Sequence, residues 1–165
     1  MTRMENTVNI VVAISDAKVS SSPQDVLLTY SLGSCIGVAL YDRVAKVAGL
    51  LHYQLPTAAA DPQRASEKPL MYADTGMRIL MELMLRDGAE KHRMQVHLAG
   101  GANMLNDRGL FDIGRRNHAS IRKILWQNGM LINAEHVGGT APRNMEISVA
   151  DGAVVIKCNS ERIAI

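Results

Sequence analysis

The stretch Leu32-Gly33-Ser34-Cys35-Ile36-Gly37-Val38-Ala39-Leu40-Tyr41, then Asp42-Arg43-Val44-Ala45-Lys46, then Val47-Ala48-Gly49-Leu50-Leu51-His52-Tyr53-Gln54-Leu55-Pro56, reads as a β-hairpin. Ile36, Val38 and Leu40 alternate with Gly37, Ala39 and Tyr41, the period-two pattern of a half-buried strand. Val47 to Leu55 is a second apolar run that Pro56 ends, and Asp42 to Lys46 supplies the polar turn. With Tyr41 opposite Lys46, Cys35 falls opposite His52, and directly opposed residues place their Cβ atoms about 4.5–5.5 Å apart on one face. A slip of one residue would send the two side chains to opposite faces, so the reading depends on register.

Working outward, Val8 to Ile14 and Val26 to Tyr30 read as strands separated by the turn Ser20-Ser21-Ser22-Pro23. Ala58 to Lys68 is small and polar with Pro62 inside it. It is expected to be the longest loop, placed to act as a flap beside His52. Met77, Leu80, Met81 and Met84 repeat with helical period, which predicts a helix from Tyr72 to Asp87 stopped by Gly88. A second helix is expected from Gly114 to Asn128, with Ile121, Ile124 and Leu125 inward and Gly129 as terminator. Strands are expected at Gln95 to Ala99, Leu131 to Val137, Met145 to Val149 and Ala153 to Cys158, with Ile163 to Ile165 as a last short one. Asp151-Gly152 signals a two-residue hairpin turn. Many strands with two clear helices break strict βαβ alternation. They point to an α+β fold: one domain over residues 1–165, an α/β sandwich of mixed, largely antiparallel strands with helices packed on the sheet.

Composition narrows the function classes. A chain of 165 residues with 47% hydrophobic and 21% charged residues is an ordinary globular protein. A formal net charge of +2 with scattered Arg and Lys gives no nucleic-acid or membrane-surface signature. Aromatics at 4% argue against a base-stacking surface. No segment approaches the roughly eighteen apolar residues a membrane span needs, and Met1 to Asn6 lacks the apolar core of a secretory signal. The expectation is a cytoplasmic protein. In a reducing compartment Cys35 and Cys158 are expected as free thiols, with Cys158 a small core residue.

The chemistry gathers at Cys35. Leu32-Gly33-Ser34 places a tight turn before it, exposing the sulfur at a strand start and turning the backbone N–H groups of Ser34 and Cys35 toward a carbonyl oxygen. A thiol is mostly protonated at neutral pH and a neighbouring imidazole, His52, can take that proton. A third group must orient His52, and the hydroxyl of Thr29, at the end of the preceding strand, is one candidate. Neither HxxxH nor CxxC spacing occurs among the histidines and cysteines, so no metal is expected. His92 and His97 take solvent-facing or satisfied interior roles. The pairs Gly100-Gly101 and Gly138-Gly139 lack a following Lys-Ser/Thr, so they are turns and not phosphate loops. No cofactor is expected.

Thr29-Tyr30-Ser31-Leu32-Gly33-Ser34-Cys35 followed by Val47 to Pro56 resembles the CheD family of chemoreceptor glutamine deamidases. The resemblance continues through Lys68-Pro69, Tyr72-Ala73-Asp74, Ala99-Gly100-Gly101-Ala102 and Ile113-Gly114-Arg115-Arg116-Asn117, and ends near Gly138-Gly139. It implies papain-like cysteine hydrolase chemistry on an α/β sandwich similar to deamidating toxins, with Cys35 as nucleophile, His52 as base and Thr29 completing the triad. It also implies a receptor glutamine side chain as substrate, methyl-ester hydrolysis by the same thioester route, and a CheC-type phosphatase of phosphorylated CheY as a second partner. One departure is Thr140-Ala141-Pro142-Arg143, where the family tends to place glycine before the arginine. Proline fixes φ and removes a donor there, which touches how this loop meets a partner. Two other readings stand beside the deamidase: an adaptor that binds receptors or a phosphatase with little turnover, and a cysteine peptidase.

Overall fold

The computed structural model describes residues 6–104 and 111–165; the amino-terminal reading therefore lies, from Met1 to Glu5, outside the described residues. Two five-stranded mixed sheets are stacked. The first has the order β1 (Val8–Val11), β3 (Asp25–Leu32), β8 (Arg143–Ser148), β9 (Val154–Cys158), β10 (Glu161–Ala164). The second runs β2 (Asp16–Ser20), β5 (Val47–Tyr53), β4 (Ile36–Asp42), β6 (Met94–Gly100), β7 (Ala134–Val137). Only β1–β3 and β6–β7 are parallel. Helices α2 (Ala73–Arg86) and α3 (Ile113–Gln127) cover the free face of the second sheet, which makes three layers: helices, sheet, sheet. The α+β sandwich expected from the sequence is what forms.

Strands β4 and β5 are buried along their whole length, so the half-buried reading of Ile36 to Tyr41 is corrected. Both faces of this sheet are covered. Ile36, Val38, Leu40, Val47, Leu51 and Tyr53 meet Met77, Leu80 and Met84 of α2 and Ile121 and Leu125 of α3. Ala39, Tyr41, Ala48 and Leu50 meet Leu27, Met145, Ile147 and Ile156 of the first sheet. The alternation therefore divides the side chains between two covered layers, the helices on one side and the first sheet on the other.

The hairpin register also differs. Asp42 pairs with Val47, and Gly37, not Cys35, sits opposite His52. The cause is the turn. The Asp42 carboxylate accepts from the N–H groups of Val44 and Ala45 at 2.9 and 3.0 Å, tightening the connection to Arg43–Lys46, with Lys46 left-handed at φ 56°. Burial pushes the Asp42 carboxyl up, but the Arg93 guanidinium and the N–H groups of Ala45, Glu90 and Val44 outweigh it and hold its pKa at about 2. The shift from the expected pairing is two residues, so facing is preserved.

Other differences are local. Strand β2 has no counterpart among the strands the sequence predicts; it is an edge strand bonded to β5. The expected loop Ala58–Lys68 holds a 3-10 turn at Ala58–Ala60 and helix α1 (Pro62–Glu67), which starts on proline and is capped where Asp61 Oδ1 accepts from Arg64 N–H at 3.1 Å. Between β8 and β9 the link is longer than two residues: Gly152 N–H donates to Ser148 O at 2.8 Å and Ser148 N–H to Ala153 O at 3.0 Å. Gly152 is left-handed at φ 74°, and a Cβ there would collide with the Tyr41 ring. Gly152→Ala is expected to destabilise the fold by about 2–4 kcal/mol, combining left-handed strain with overpacking, as read from urea unfolding.

Candidate active site

The chain leaves β1, crosses between the sheets at Val12–Ser15, and enters β2. This crossover puts a carbonyl into the buried layer beside Thr29: Val12 is 1% exposed, and its oxygen accepts from Thr29 Oγ1 at 2.7 Å. Thr29, on β3 of the first sheet, and His52, on β5 of the second, are both fully buried, and Thr29 Oγ1 lies 2.7 Å from His52 Nδ1. A hydroxyl has one proton and a carbonyl can only accept. The Thr29 proton therefore goes to Val12, and the hydroxyl accepts from His52 Nδ1–H. That fixes the imidazole tautomer and leaves the lone pair on Nε2. Nε2 is buried and has no hydrogen-bond partner among the described residues.

Cys35 lies just before β4. It is half-buried, free, and packed against the apolar cluster between the sheets, the layer into which His52 and Thr29 project. Because Gly37 is the residue opposite His52, Cys35 and His52 are diagonal neighbours on one face. Diagonal pairs are separated by about 7–8 Å, within reach of a long ring. Gly37 has no side chain to stand between them. The structure thus joins Thr29 to His52 directly and brings Cys35 to their layer, while thiol and Nε2 are not hydrogen-bonded to each other. Burial pushes the Cys35 thiol up and lowers the His52 pKa from 6.5 to about 4. At neutral pH the pair is thiol and neutral imidazole, not thiolate and imidazolium.

Three successive carbonyls of the turn are held. Gly33 O accepts from Ala102 N–H at 2.8 Å, Ser34 O from Asn117 Nδ2 at 2.9 Å, and Cys35 O from Gly101 N–H at 2.8 Å. A trans peptide points its C=O and the next N–H in opposite directions. Fixing the carbonyls of Gly33 and Ser34 therefore aims the N–H groups of Ser34 and Cys35 away from those partners, and the Cys35 N–H lies against its own sulfur. What the structure shows of Ser34 here is its backbone, whose carbonyl Asn117 holds.

The grip needs close backbone approach. A Cβ on Gly100 (φ 110°) would strike Cys35 O, and one on Gly114 would strike Ala102 O. Sequence reading takes Gly100 for part of a turn and Gly114 for the start of a helix. What it missed were the donors of Gly101, Ala102 and Asn117 and the Val12 acceptor. A polar residue on the buried stripe of α3 was the available signal for Asn117; backbone groups leave none.

The remaining candidates lie elsewhere. Of the two roles expected for His97, solvent-facing or satisfied interior, the solvent-facing one is corrected by its 8% exposure, and its Nδ1 has no hydrogen-bond partner among the described residues. His118 Nε2 meets Glu135 at 2.9 Å. Among the described residues no group of three or more His, Cys, Asp and Glu is placed to hold a metal ion, and no helix is long and apolar enough to cross a membrane. Arg143 follows Pro142 and pairs with Leu32. Its guanidinium donates to the carbonyls of His136, Gly138 and Ala141, and so braces the loop containing Pro142.

Two pH experiments follow from the neutral pair. The folded imidazole refuses a proton until about pH 4, whereas the unfolded chain takes one below 6.5. His52 therefore gives its full stabilisation above 6.5, and this drains away as pH falls through that window. Wild type should lose about 2 kcal/mol more than His52→Gln between about pH 7.5 and pH 5 in urea titrations. Iodoacetamide alkylation of Cys35, followed by peptide mass spectrometry to separate it from Cys158, should rise with a midpoint above the ordinary thiol value of 9.0. A reactivity plateau extending down into acid would instead mean a preformed ion pair.

Comparison with known proteins adds the family. The family model described as CheD chemotactic sensory transduction matches residues 54–158. A protein of Solibacter usitatus named probable chemoreceptor glutamine deamidase CheD is 43% identical over 93% of this chain and 90% of its own. One of Syntrophus aciditrophicus, named probable chemoreceptor glutamine deamidase CheD 1, is 44% identical over 90% of this chain and 93% of its own. A solved Neisseria meningitidis protein aligns over 79% of this chain and 63% of its own, with a TM-score of 0.42 and 14% identity.

Proposed function

This chain belongs to the CheD family, and from that premise we propose that it deamidates glutamine side chains of methyl-accepting chemotaxis receptors. We read it as one domain over residues 1–165, working in the cytoplasm where the helical bundle of the receptor lies. The observation that carries the chemistry is the Thr29–His52 hydrogen bond. With the Thr29 proton committed to Val12, Nε2 becomes the only basic atom of the ring.

In the proposed reaction His52 Nε2 takes the Cys35 proton as Sγ attacks the carboxamide carbon. The N–H groups of Ser34 and Cys35 receive the oxygen as it becomes negative. Nε2–H then protonates the departing nitrogen, which leaves as ammonia, and a thioester remains. Water gives a proton to Nε2 and its oxygen to the acyl carbon, and the returning proton restores the thiol beside a new glutamate. A glutamyl methyl ester fits the same steps, with methanol leaving. A CheC-type phosphatase is a candidate second partner on the same face.

The resting geometry favours a second reading to test beside this one. A thiol not yet hydrogen-bonded to its base is what an adaptor with little turnover would also have. Incubation with a receptor cytoplasmic fragment should add about one dalton per modified glutamine, read by mass spectrometry. Cys35→Ser and His52→Ala should abolish this while circular dichroism remains native. Thr29→Ala should lower kcat by roughly ten- to a hundred-fold, short of the about 10²–10⁴-fold of a positioned base. Tight receptor binding without a mass change would select the adaptor, and a cut receptor backbone the peptidase.

A further inference from the structure

Asn117 sits in α3, on the stripe Gly114, Asn117, Ile121, Leu125 that faces the second sheet, and it is 0% exposed. Asparagine is a poor helix former, and its place on this stripe would ordinarily go to an aliphatic residue. Its Oδ1 is buried and finds no donor among the described residues. Helix packing alone does not call for such a residue. Its amide nitrogen is fully used, however: Nδ2 donates to Ser34 O at 2.9 Å and to Gln54 O at 2.8 Å. Ser34 immediately precedes Cys35, and Gln54 is two residues beyond His52. One primary amide therefore ties the nucleophile's turn to the end of the strand that carries the base. The main-chain carbonyl of Asn117 accepts from Tyr53 Oη at 2.6 Å, which anchors the helix to the same strand.

The bond to Ser34 O has a directional consequence. Ser34 C=O and Cys35 N–H belong to one rigid peptide plane and point opposite ways. Whatever holds the carbonyl therefore aims the N–H. The flanking carbonyls of Gly33 and Cys35 are held by main-chain donors of Ala102 and Gly101, so Asn117 is the side chain that sets the plane in between.

We propose that Asn117 is a positioning residue: by gripping Ser34 O and Gln54 O together it aims the Cys35 N–H at the oxyanion and fixes the spacing of Cys35 from His52. This rests on the catalytic reading above. The expected signature is a loss in kcat with little change in KM, because the oxyanion exists only after attack.

The test uses full-length protein with Asn117→Ala, Asn117→Asp and, as control, Ser120→Ala. Ser120 Oγ bonds Pro56 O at 2.6 Å, so its loss weakens the same helix-to-strand contact without touching the Cys35 turn. Asn117→Asp keeps the size of the side chain but not its two donors, and serves if the alanine variant does not fold. Measurements are Tm, kcat and KM on receptor fragment, and the pH profile of Cys35 alkylation by iodoacetamide.

At temperatures where all variants are folded, the Asn117 variants should lose about ten- to a hundred-fold in kcat, as a misplacement of about 1 Å costs. Their alkylation midpoint should move to higher pH as the sulfur loses its N–H. Ser120→Ala should lower Tm and leave both readouts at wild type. Wild-type kcat and alkylation profile in a folded Asn117 variant would overturn the proposal, as would an equal kcat loss in Ser120→Ala. If wild type shows no deamidation, the proposed function fails; the alkylation profiles still decide whether Asn117 positions the turn.

Discussion

A hydrogen bond between two sheets organises this molecule. Thr29 on one sheet and His52 on the other meet where both are fully buried, and an unpaired polar group there would cost about 1–3 kcal/mol. The pairing is satisfied because the crossover from β1 to β2 brings Val12 O to the hydroxyl. Ser15, left-handed at φ 56° and bonded through its N–H to His52 O, ends that crossover. Sheet stacking, chain path and ring tautomer are thus one constraint seen at three scales. An apolar residue at position 29 would keep the sandwich and lose the proton assignment.

Burial that secures the tautomer also sets the resting charge state. The same desolvation raises the thiol and lowers the imidazole, so storing a proton on nitrogen and a charge on sulfur is unfavourable until something compensates both. In the proposed reaction that compensation is the substrate: proton transfer coincides with attack, and charge moves directly onto an oxygen facing fixed N–H groups. A neutral resting pair suits a half-exposed thiol, because thiolate is also the form that oxidants and alkylating agents consume.

How much of this could be read from the chain depends on where each signal lies. Short-range patterns sufficed for α2, whose methionines and leucine repeat with helical period up to a left-handed Gly88, and for β9. Cys35, His52 and Thr29 were legible as chemical types near one another, and the facing of the first two survived because the register error was an even number. The error came from Asp42, whose side chain closes the turn and thereby joins the strand; hydrophobic alternation carries no information about such an Asx contact. Strand β2 was illegible for a related reason. Asp16-Ala17-Lys18-Val19-Ser20 is a partly exposed edge whose identity comes from β5 beside it, not from its own pattern. Ala58–Lys68 looked like a loop because its composition is small and polar, yet Asp61 and Pro62 are a helix start. Backbone donors such as Gly101 and Ala102 leave no trace in a side-chain reading except the glycines that permit close approach.

Each layer contributes one part of the proposed site. The first sheet supplies Thr29, the second supplies Cys35 and His52, and the helix layer supplies Asn117. None of these groups is assembled by local sequence alone, since the Asn117 contact spans 83 positions and the Thr29 contact 23. The sulfur and imidazole are near in sequence, but the atoms that orient them arrive only when the sandwich is stacked and the helix is docked. An unfolded or partly folded chain therefore holds an ordinary cysteine and an ordinary histidine, with a thiol no more directed than any other. In the proposed mechanism, chemistry therefore begins only with tertiary structure.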